Sequence, residues 1–348
     1  MKFGNKRRAR IIRDYCIGWT IAFLFLCIVR GEGTLEKGSV QFEFWTSIFV
    51  SLIFGPAFGS VSGFAQILTE ERVYKRMSIH KLILLRLTYA LLFLTTLIVV
   101  AYVMVTTFFG VTIGLMEFAF EPGSFAIYFY ILSVDLFMVV LRQINLMLGD
   151  GNLTKMMRGK FYTPREEQRI FMFLDLQSST QLAEKLGHIE YSRLIQDCFN
   201  DLGVVAEYDA EIYQYVGDEV ILTWNLKDGL KNGNCLRTFF AFKKQFSDRK
   251  KYYEEKYGTV PFFKAGLNAG IVTVTEVGKY KKEIAYHGDT INTAARIQGK
   301  CNELGQEILI SGYLKKELDT TAYDFEPKGS MTLRGKEDEV TIYAVTPL

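Results

Sequence analysis

The hydrophobic positions of this chain change their pattern near residue 150. Before it they form long uncharged runs: 26 residues between Glu43 and Glu70, and 30 between Arg86 and Glu117. A third run, Phe125 to Leu148, is apolar except for Asp135 and Arg142, and a shorter one, Tyr15 to Val29, holds 15 uncharged residues. A bilayer core takes roughly 20 apolar residues in helical form, so the long runs are expected to span a membrane. The short run fits a span as well, since no small-residue cleavage site follows it and further spans do.

Beyond residue 150 the runs shorten and alternate. Arg169-Ile-Phe-Met-Phe-Leu174 is a continuous apolar stretch that fits a buried strand. Ser178, Ser179 and Thr180 resemble a helix start, and residues 188–207 carry apolar side chains at helical spacing. Ile212–Val216 and Val220–Trp224 flank Gly217-Asp218-Glu219, a hairpin signal with Asp at its tip. A helix over 234–257, a strand over Phe262–Val272, a helix opening at Gly288-Asp289-Thr290, and strands at Glu307–Ile310 and Val340–Ala344 complete the pattern. This order predicts an α+β sheet with helices on one face.

Taken whole, the 348 residues are 49% hydrophobic with a net charge of +3, which excludes disorder and low-complexity repeats. Split at 150, the first part carries 14 Lys/Arg against 10 Asp/Glu, and the second 27 against 28. The basic excess sits at the ends of the apolar runs. Lys2, Lys6, Arg7, Arg8, Arg10 and Arg13 precede the first, and Arg72, Lys75, Arg76, Lys81 and Arg86 surround the connection between the second and third. The other two connections hold Lys37 alone. Lys and Arg mark the cytoplasmic side, so four spans with both ends inside are expected. The expected organisation is a four-helix transmembrane domain over 1–148, a connector over 149–168 and a cytoplasmic domain over 169–348. The location implied is the cell (inner) membrane, multi-pass, with the lipid bilayer as partner. The basic excess is a topology signal and gives no support to nucleic-acid binding.

Within the last span, Asp135 and Arg142 stand seven residues apart, near one helix face. Either they form a polar element that senses helix packing, or Arg142 reaches the headgroups and Asp135 finds a neighbour in the bundle. Gly55, Gly59 and Gly63 would allow close helix approach. The 5 cysteines form no CxxC pair and there are only 3 histidines, which argues against zinc or a disulfide framework.

The candidate chemistry lies in two carboxylates. If the strands bearing Asp175 and Asp218 are neighbours, these side chains converge, and an oxygen-only pair suits Mg²⁺ or Mn²⁺ and phosphoryl chemistry. Asp is also common at strand ends and hairpin tips for turn reasons alone.

Three motifs extend this reading: Phe-Leu-Asp175-Leu-Gln-Ser-Ser-Thr180, Tyr-Val-Gly-Asp218-Glu219, and Gly288-Asp-Thr-Ile-Asn292-Thr-Ala-Ala-Arg296. In this order they resemble the class III nucleotidyl cyclase domain of adenylate and guanylate cyclases, over about residues 168–346. The resemblance implies a class III cyclase catalytic domain in which Asp175 and Asp218 hold two Mg²⁺ (or Mn²⁺) ions per active site, helped by the backbone carbonyl of Leu176. It implies that Asn292 orients the ribose and that Arg296 neutralises charge at the α-phosphate. Arg334 and Lys336 match, more loosely, a basic segment that contacts the triphosphate. In the family the metal ligands and the Asn–Arg pair come from different subunits, so a homodimer with two shared sites is expected. The positions that select the purine are Gln214 and Ala285 here. The amide of Gln214 can donate or accept, so it suits either base, and Ala285 offers no hydrogen bond. The expected activity is conversion of a nucleoside triphosphate, ATP by family preference, to the cyclic monophosphate and pyrophosphate. Alternatives are a guanylate or other cyclase, or a silent cyclase-like membrane protein.

Overall fold

The computed structural model describes residues 5–31, 44–72, 79–109, 113–149, 151–319, 321–332 and 339–348. Met1–Ile144 and Asn145–Leu348 form two separate compact units.

The first unit is helical: α1 (Asn5–Gly31), α2 (Phe44–Arg72), α3 (Ile79–Phe109), the short α4 (Leu115–Ala119) and α5 (Pro122–Met147). Among the described residues three stretches are long and apolar enough to cross a bilayer, Arg7–Val29, Ser47–Glu71 and Ser124–Met147, against the four expected. α3 as a whole is 31 residues long, and its apolar stretch among the described residues is Ile83–Val99.

Polarity runs inside out in this unit. Phe25, Phe49, Phe64, Leu92 and Phe129 are exposed, while Glu70, Arg86, Asp135 and Arg142 are buried. Hydrocarbon cannot solvate a charge, so each must find a partner. Arg86 of α3 donates Nε to Asp135 Oδ2 and Nη2 to Oδ1, both at 3.0 Å, and Ser62 of α2 adds a bond of 2.6 Å to Oδ1. Arg142 does not reach toward headgroups; it is buried and grips Glu70 through Nε at 2.7 Å and Nη2 at 3.0 Å. The glycines of α2 seat α1: a Cβ at Gly59 would lie 2.3 Å from the Cys16 Cα, and one at Gly55 2.5 Å from the Thr20 Cα.

The second unit opens with α6 (Asn152–Met157) and continues β1 (Arg165–Leu176), α7 (Ser179–Asp201), β2 (Glu211–Val216), β3 (Glu219–Asn225), α8 (Leu226–Leu230), α9 (Asn234–Asp248), α10 (Lys250–Tyr257), β4 (Phe263–Val277), β5 (Glu283–His287), α11 (Asp289–Glu303), β6 (Ile308–Ser311), α12 (Gly312–Glu317), β7 (Tyr323–Thr332) and β8 (Glu339–Pro347). The sheet order is β2-β3-β1-β4-β6-β8-β7, with β5 paired to β4, and β4–β6 is its parallel pair.

Helices cover both faces rather than one. Ile170, Met172 and Leu174 of β1 pack with Leu194 and Cys198 of α7, Phe239 and Phe242 of α9 and Tyr253 of α10. Phe171 and Phe173 face the other way, onto Ala294 of α11 and Phe161 from the stretch before β1. That double burial is why β1 reads as an unbroken apolar run. The helix expected over 234–257 breaks at Arg249, between α9 and α10.

Arg169, 2% exposed on β1, ties the entry segment to the sheet. It donates to Glu211 at 2.8 Å, Glu167 at 3.1 Å and Thr223 at 3.0 Å, and lies over the Tyr286 ring. Lys155 of α6 reaches Glu211 from the other side at 3.1 Å. Burial pulls both carboxyls upward, but Arg169 with Lys155 holds Glu211, and Lys160 with Arg169 holds Glu167, below the ordinary range. The stabilisation from a lowered carboxyl is present above its unfolded value of about 4.5 and fades as pH falls through the folded one. Glu211→Gln is therefore expected to lower the melting temperature at pH 7 and to flatten its fall as the pH drops below about 4.5. An unchanged acid limb in circular-dichroism melts would contradict this assignment.

Candidate active site

The end of β1 gathers charge because of register. Asp175 is directly opposite Glu219 of β3 on one side and Lys264 of β4 on the other. Directly opposed residues share a face, so these three side chains line the α11 side, two residues on from Phe173. Asp218 enters from the β2–β3 turn, where Gly217 takes φ +62°. Burial first, and then the Asp218 charge, push the Asp175 carboxyl up; the Gln298 amide and the Leu176 backbone pull against them. Burial and the charges of Asp175 and Asp218 raise Glu219 to about 7. Tyr191 of α7 is raised by burial and by the same two aspartates. Asp175 and Asp218 therefore converge, and with them comes Glu219.

A cleft of about 290 Å³ opens beside Asp175, lined by Leu176, the turn residues Gln177 to Gln181, Lys264 and Asn302. The side chain of Leu176 is buried. Among the described residues no group of three or more His, Cys, Asp or Glu side chains is placed to hold a metal ion. An open pair of carboxylates is the arrangement that leaves positions on Mg²⁺ for substrate phosphates.

Asn292 and Arg296 stand elsewhere, one turn apart on α11. The buried stripe of that helix is Thr290, Thr293, Ala294, Ile297 and Cys301. Gln298, the residue that meets Asp175, follows Arg296 by two positions and Asn292 by six, so it points about 200° and 240° away from them round the helix. Within one chain the Asn–Arg pair and the carboxylates look in different directions. Asn292 is exposed. Arg296 is partly exposed, yet its Nη1 is buried without a hydrogen bond, 3.9 Å from Asp289 Oδ1.

The helix sits where it does because β4 lets it approach. A Cβ on Gly266 would lie 2.1 Å from the Gln298 backbone nitrogen. Thr290 Oγ1 donates to the Ile271 carbonyl at 2.8 Å, and Asn268 to the Thr290 carbonyl at 3.0 Å. Of the remaining expected positions, Gln214 is exposed on β2 beside a bulge, and Ala285 pairs with Thr275 on β5. The neighbouring rings Tyr213 and Tyr286 meet edge to face at 4.9 Å, which brings β2 and β5 together there. Arg334 and Lys336 lie outside the described residues. Sequence reasoning missed Glu219, Lys264, Gln298 and Asn302. Glu219 follows Asp218 directly, and Lys264 is a lone charge inside Pro-Phe-Phe-Lys-Ala-Gly-Leu; those were the available signals.

Crowded like charges destabilise the metal-free protein. Asp218→Asn is expected to raise stability in a chelator by about 0.5–1 kcal/mol, seen as a higher melting temperature. A lower melting temperature would show that the carboxylates do not oppose one another.

Residues 161–347 match the family model of the adenylate and guanylate cyclase catalytic domain. "Adenylate cyclase 2" of Rhizobium meliloti (strain 1021) is 29% identical over 219 residues, 62% of this chain and 60% of that protein. "Adenylate cyclase 1" of the same organism is 26% identical over 180 residues, 50% of this chain and 27% of that protein. The chain thus spans 60% or less of the length of these relatives. A bacterial light-regulated adenylyl cyclase of solved structure shares the fold, with TM-score 0.55 at 18% identity over 65% of this chain and 66% of that one. On the family match, which takes in more than half its length, the chain belongs to the class III nucleotidyl cyclases, the family of adenylate and guanylate cyclases.

Proposed function

We propose that this protein is a membrane-anchored adenylate cyclase that converts ATP to cyclic AMP and pyrophosphate as a homodimer. The observation that carries the reading is the convergence of Asp175 and Asp218 beside an open cleft. Two neighbouring carboxylates, one of them raised by burial and then by the other's charge, are a donor set that a divalent cation would relieve, and their oxygen chemistry fits Mg²⁺ or Mn²⁺. Asp175 and Asp218 would hold two such ions, with the Leu176 carbonyl as a further oxygen. Bound there, the ions would lower the pKa of the ribose 3′-hydroxyl and take up charge on the phosphate oxygens.

The rest falls to protein side chains. Arg296, whose Nη1 has a spare donor, would bond the α-phosphate as negative charge grows on it. Asn292, on the same helix flank, would fix the ribose so that its 3′-oxygen lies in line with the leaving group. Because the Asn–Arg flank turns about 200° from the flank that meets Asp175, a second copy is the natural donor of Asn292 and Arg296. Two chains related by a two-fold axis would then form two equivalent sites. Gln214 and Ala285 would border the base. The Gln214 amide suits guanine as well as adenine, so GTP is the second substrate reading.

The charge pattern supports a cytoplasmic catalytic domain below a multi-pass anchor in the cell membrane. We place the membrane domain over 1–148, the coupling segment over 149–168 and the cyclase domain over 169–348.

The test is to supply the purified full-length protein with Mn²⁺ and each nucleoside triphosphate in turn. Cyclic AMP as the main product is expected; cyclic GMP alone would move the assignment, and no cyclic product from any of them would end it. Asp175→Ala and Arg296→Ala chains should each lose activity by 10²-fold or more on the scale of a lost electrostatic stabiliser. Mixed together, they are expected to recover one working site per heterodimer, and failure to recover would argue for a site within one chain.

A further inference from the structure

The helical unit holds buried donors that lack an acceptor. Tyr15 Oη and Trp19 Nε1 of α1, and Nη1 of Arg86 on α3, are closed off from solvent and reach no hydrogen-bond partner. Tyr15 and Trp19 are 2% exposed and Arg86 4%. Arg86 lies 5.9 Å from the centre of the Tyr15 ring, and the charges of Arg86, Asp135, Glu70 and Arg142 all act on the Tyr15 hydroxyl. A donor buried without a partner is costly, most of all where hydrocarbon surrounds the protein. The nearby carboxylates are occupied. Asp135 accepts from Arg86 Nε and Nη2 and from Ser62. Glu70 accepts from Arg142 Nε and Nη2, from Gln66 at 2.9 Å and from Arg7 at 3.5 Å. An ionised carboxyl offers about four such positions, so a further donor competes with those already bound.

The helices are not all held in the same way. At Gly55 and Gly59, α1 and α2 meet backbone to backbone, which fixes them as one piece. Side chains hold α5: Asp135 to Ser62 and Arg86, Arg142 to Glu70, and the Tyr130 hydroxyl to the Ala22 carbonyl. Where α5 faces Gly18 of α1, the contact is the flexible end of Met138, whose Sδ would lie 2.5 Å from a Cβ there. An exchange of hydrogen bonds can therefore shift α5 against the α1–α2 pair without opening a backbone seam. Beyond Met147 of α5 the chain passes into the segment that precedes β1.

We infer that the Arg86–Asp135 and Glu70–Arg142 pairs form an exchangeable latch on α5, and that the position of α5 sets the turnover of the catalytic unit. In the packing seen here the arginines hold both carboxylates and the Tyr15 hydroxyl is unpaired. In a second packing Tyr15 donates to a carboxylate oxygen that an arginine now holds, and α5 shifts. The exchange trades one unpaired donor for another, so the two packings lie close in energy and small inputs decide between them. The control of turnover rests on the cyclase reading; the latch itself does not.

The test uses the full-length protein in lipid nanodiscs, with spin labels on cysteines placed at Met147 of α5 and Arg13 of α1, both exposed. Cys16 and Cys27 are replaced by serine, and the other cysteines are buried. Two label distances are expected in this parent protein. Arg86→Lys, which keeps the charge but loses the planar fork, should raise the second population, and so should the milder Ser62→Ala. Tyr15→Phe, which removes the competing hydroxyl and no bond of the first packing, should abolish it. Turnover is expected to move by about fivefold or more, the lower end of a typical coupling between sites, in opposite directions for Arg86→Lys and Tyr15→Phe. In the Tyr15→Phe background, Arg86→Lys should have little left to change. A single distance that no variant moves, or turnover that Tyr15→Phe and Arg86→Lys move the same way, would overturn the inference. So would a Tyr15→Phe protein that melts below the parent, since its hydroxyl would then be bonded in the first packing. Distances that shift as expected while turnover stays level overturn the control of turnover and leave the cyclase reading standing. Absence of cyclic product from every triphosphate sinks the cyclase reading, and the distances still decide the latch.

Discussion

Repulsion among three carboxylates at one end of the sheet is the interaction around which the catalytic unit is organised. Asp175, Asp218 and Glu219 are brought together by strand register and a tight turn, and burial denies them the water that would screen their charges. Burial first, and then the neighbouring charges, raise Asp175 and Glu219. Under the proposed reading a divalent cation would relieve that cost. The surroundings fit that need. Gln298 steadies Asp175 without neutralising it, and Lys264 stands opposite Asp175 on β4.

The second organising feature is steric. Gly266 and Gly270 remove the side chains that would hold α11 off β4, so the helix lies directly on the strand. That fixes the direction of each of its faces. The Gln298 flank meets the carboxylates, the apolar stripe fills the core, and the Asn292–Arg296 flank is left to look outward. Divergence within a chain is a defect for an enzyme that works alone and a requirement for one whose site is completed by a second copy. The spare donor of Arg296 belongs to the same logic.

Much of this was legible in the sequence, and for identifiable reasons. The strand at 169–174 and the hairpin around Asp218 were visible because apolar runs and a Gly-Asp turn are local signals. Asp175, Asp218, Asn292 and Arg296 stood in motifs whose spacing is tied to those elements. Local signals could not show that helices cover both faces, because only α11's packing on Phe171 and Phe173 decides that. Nor could they show Lys264, Gln298 and Asn302, whose roles arise from partners 38 to 123 residues distant in the chain. The membrane unit makes the same point. The runs were plain, but Arg142 pairs with Glu70 and Arg86 with Asp135 across helices, and nothing in linear spacing names such partners. Arg86 in particular read as a topology charge at the end of an apolar run and is instead buried inside the bundle.

Which chain supplies which side chain to a bound nucleotide is the central question for this member of the cyclase family. A structure of the full-length protein with Mn²⁺ and a non-cyclisable triphosphate analogue measures this directly. The account predicts metal density between Asp175 and Asp218 of one copy, and Asn292 and Arg296 of the other copy on the ribose and α-phosphate. A nucleotide contacted by all four residues of a single chain, or one bound away from Asp175 and Asp218, would contradict it.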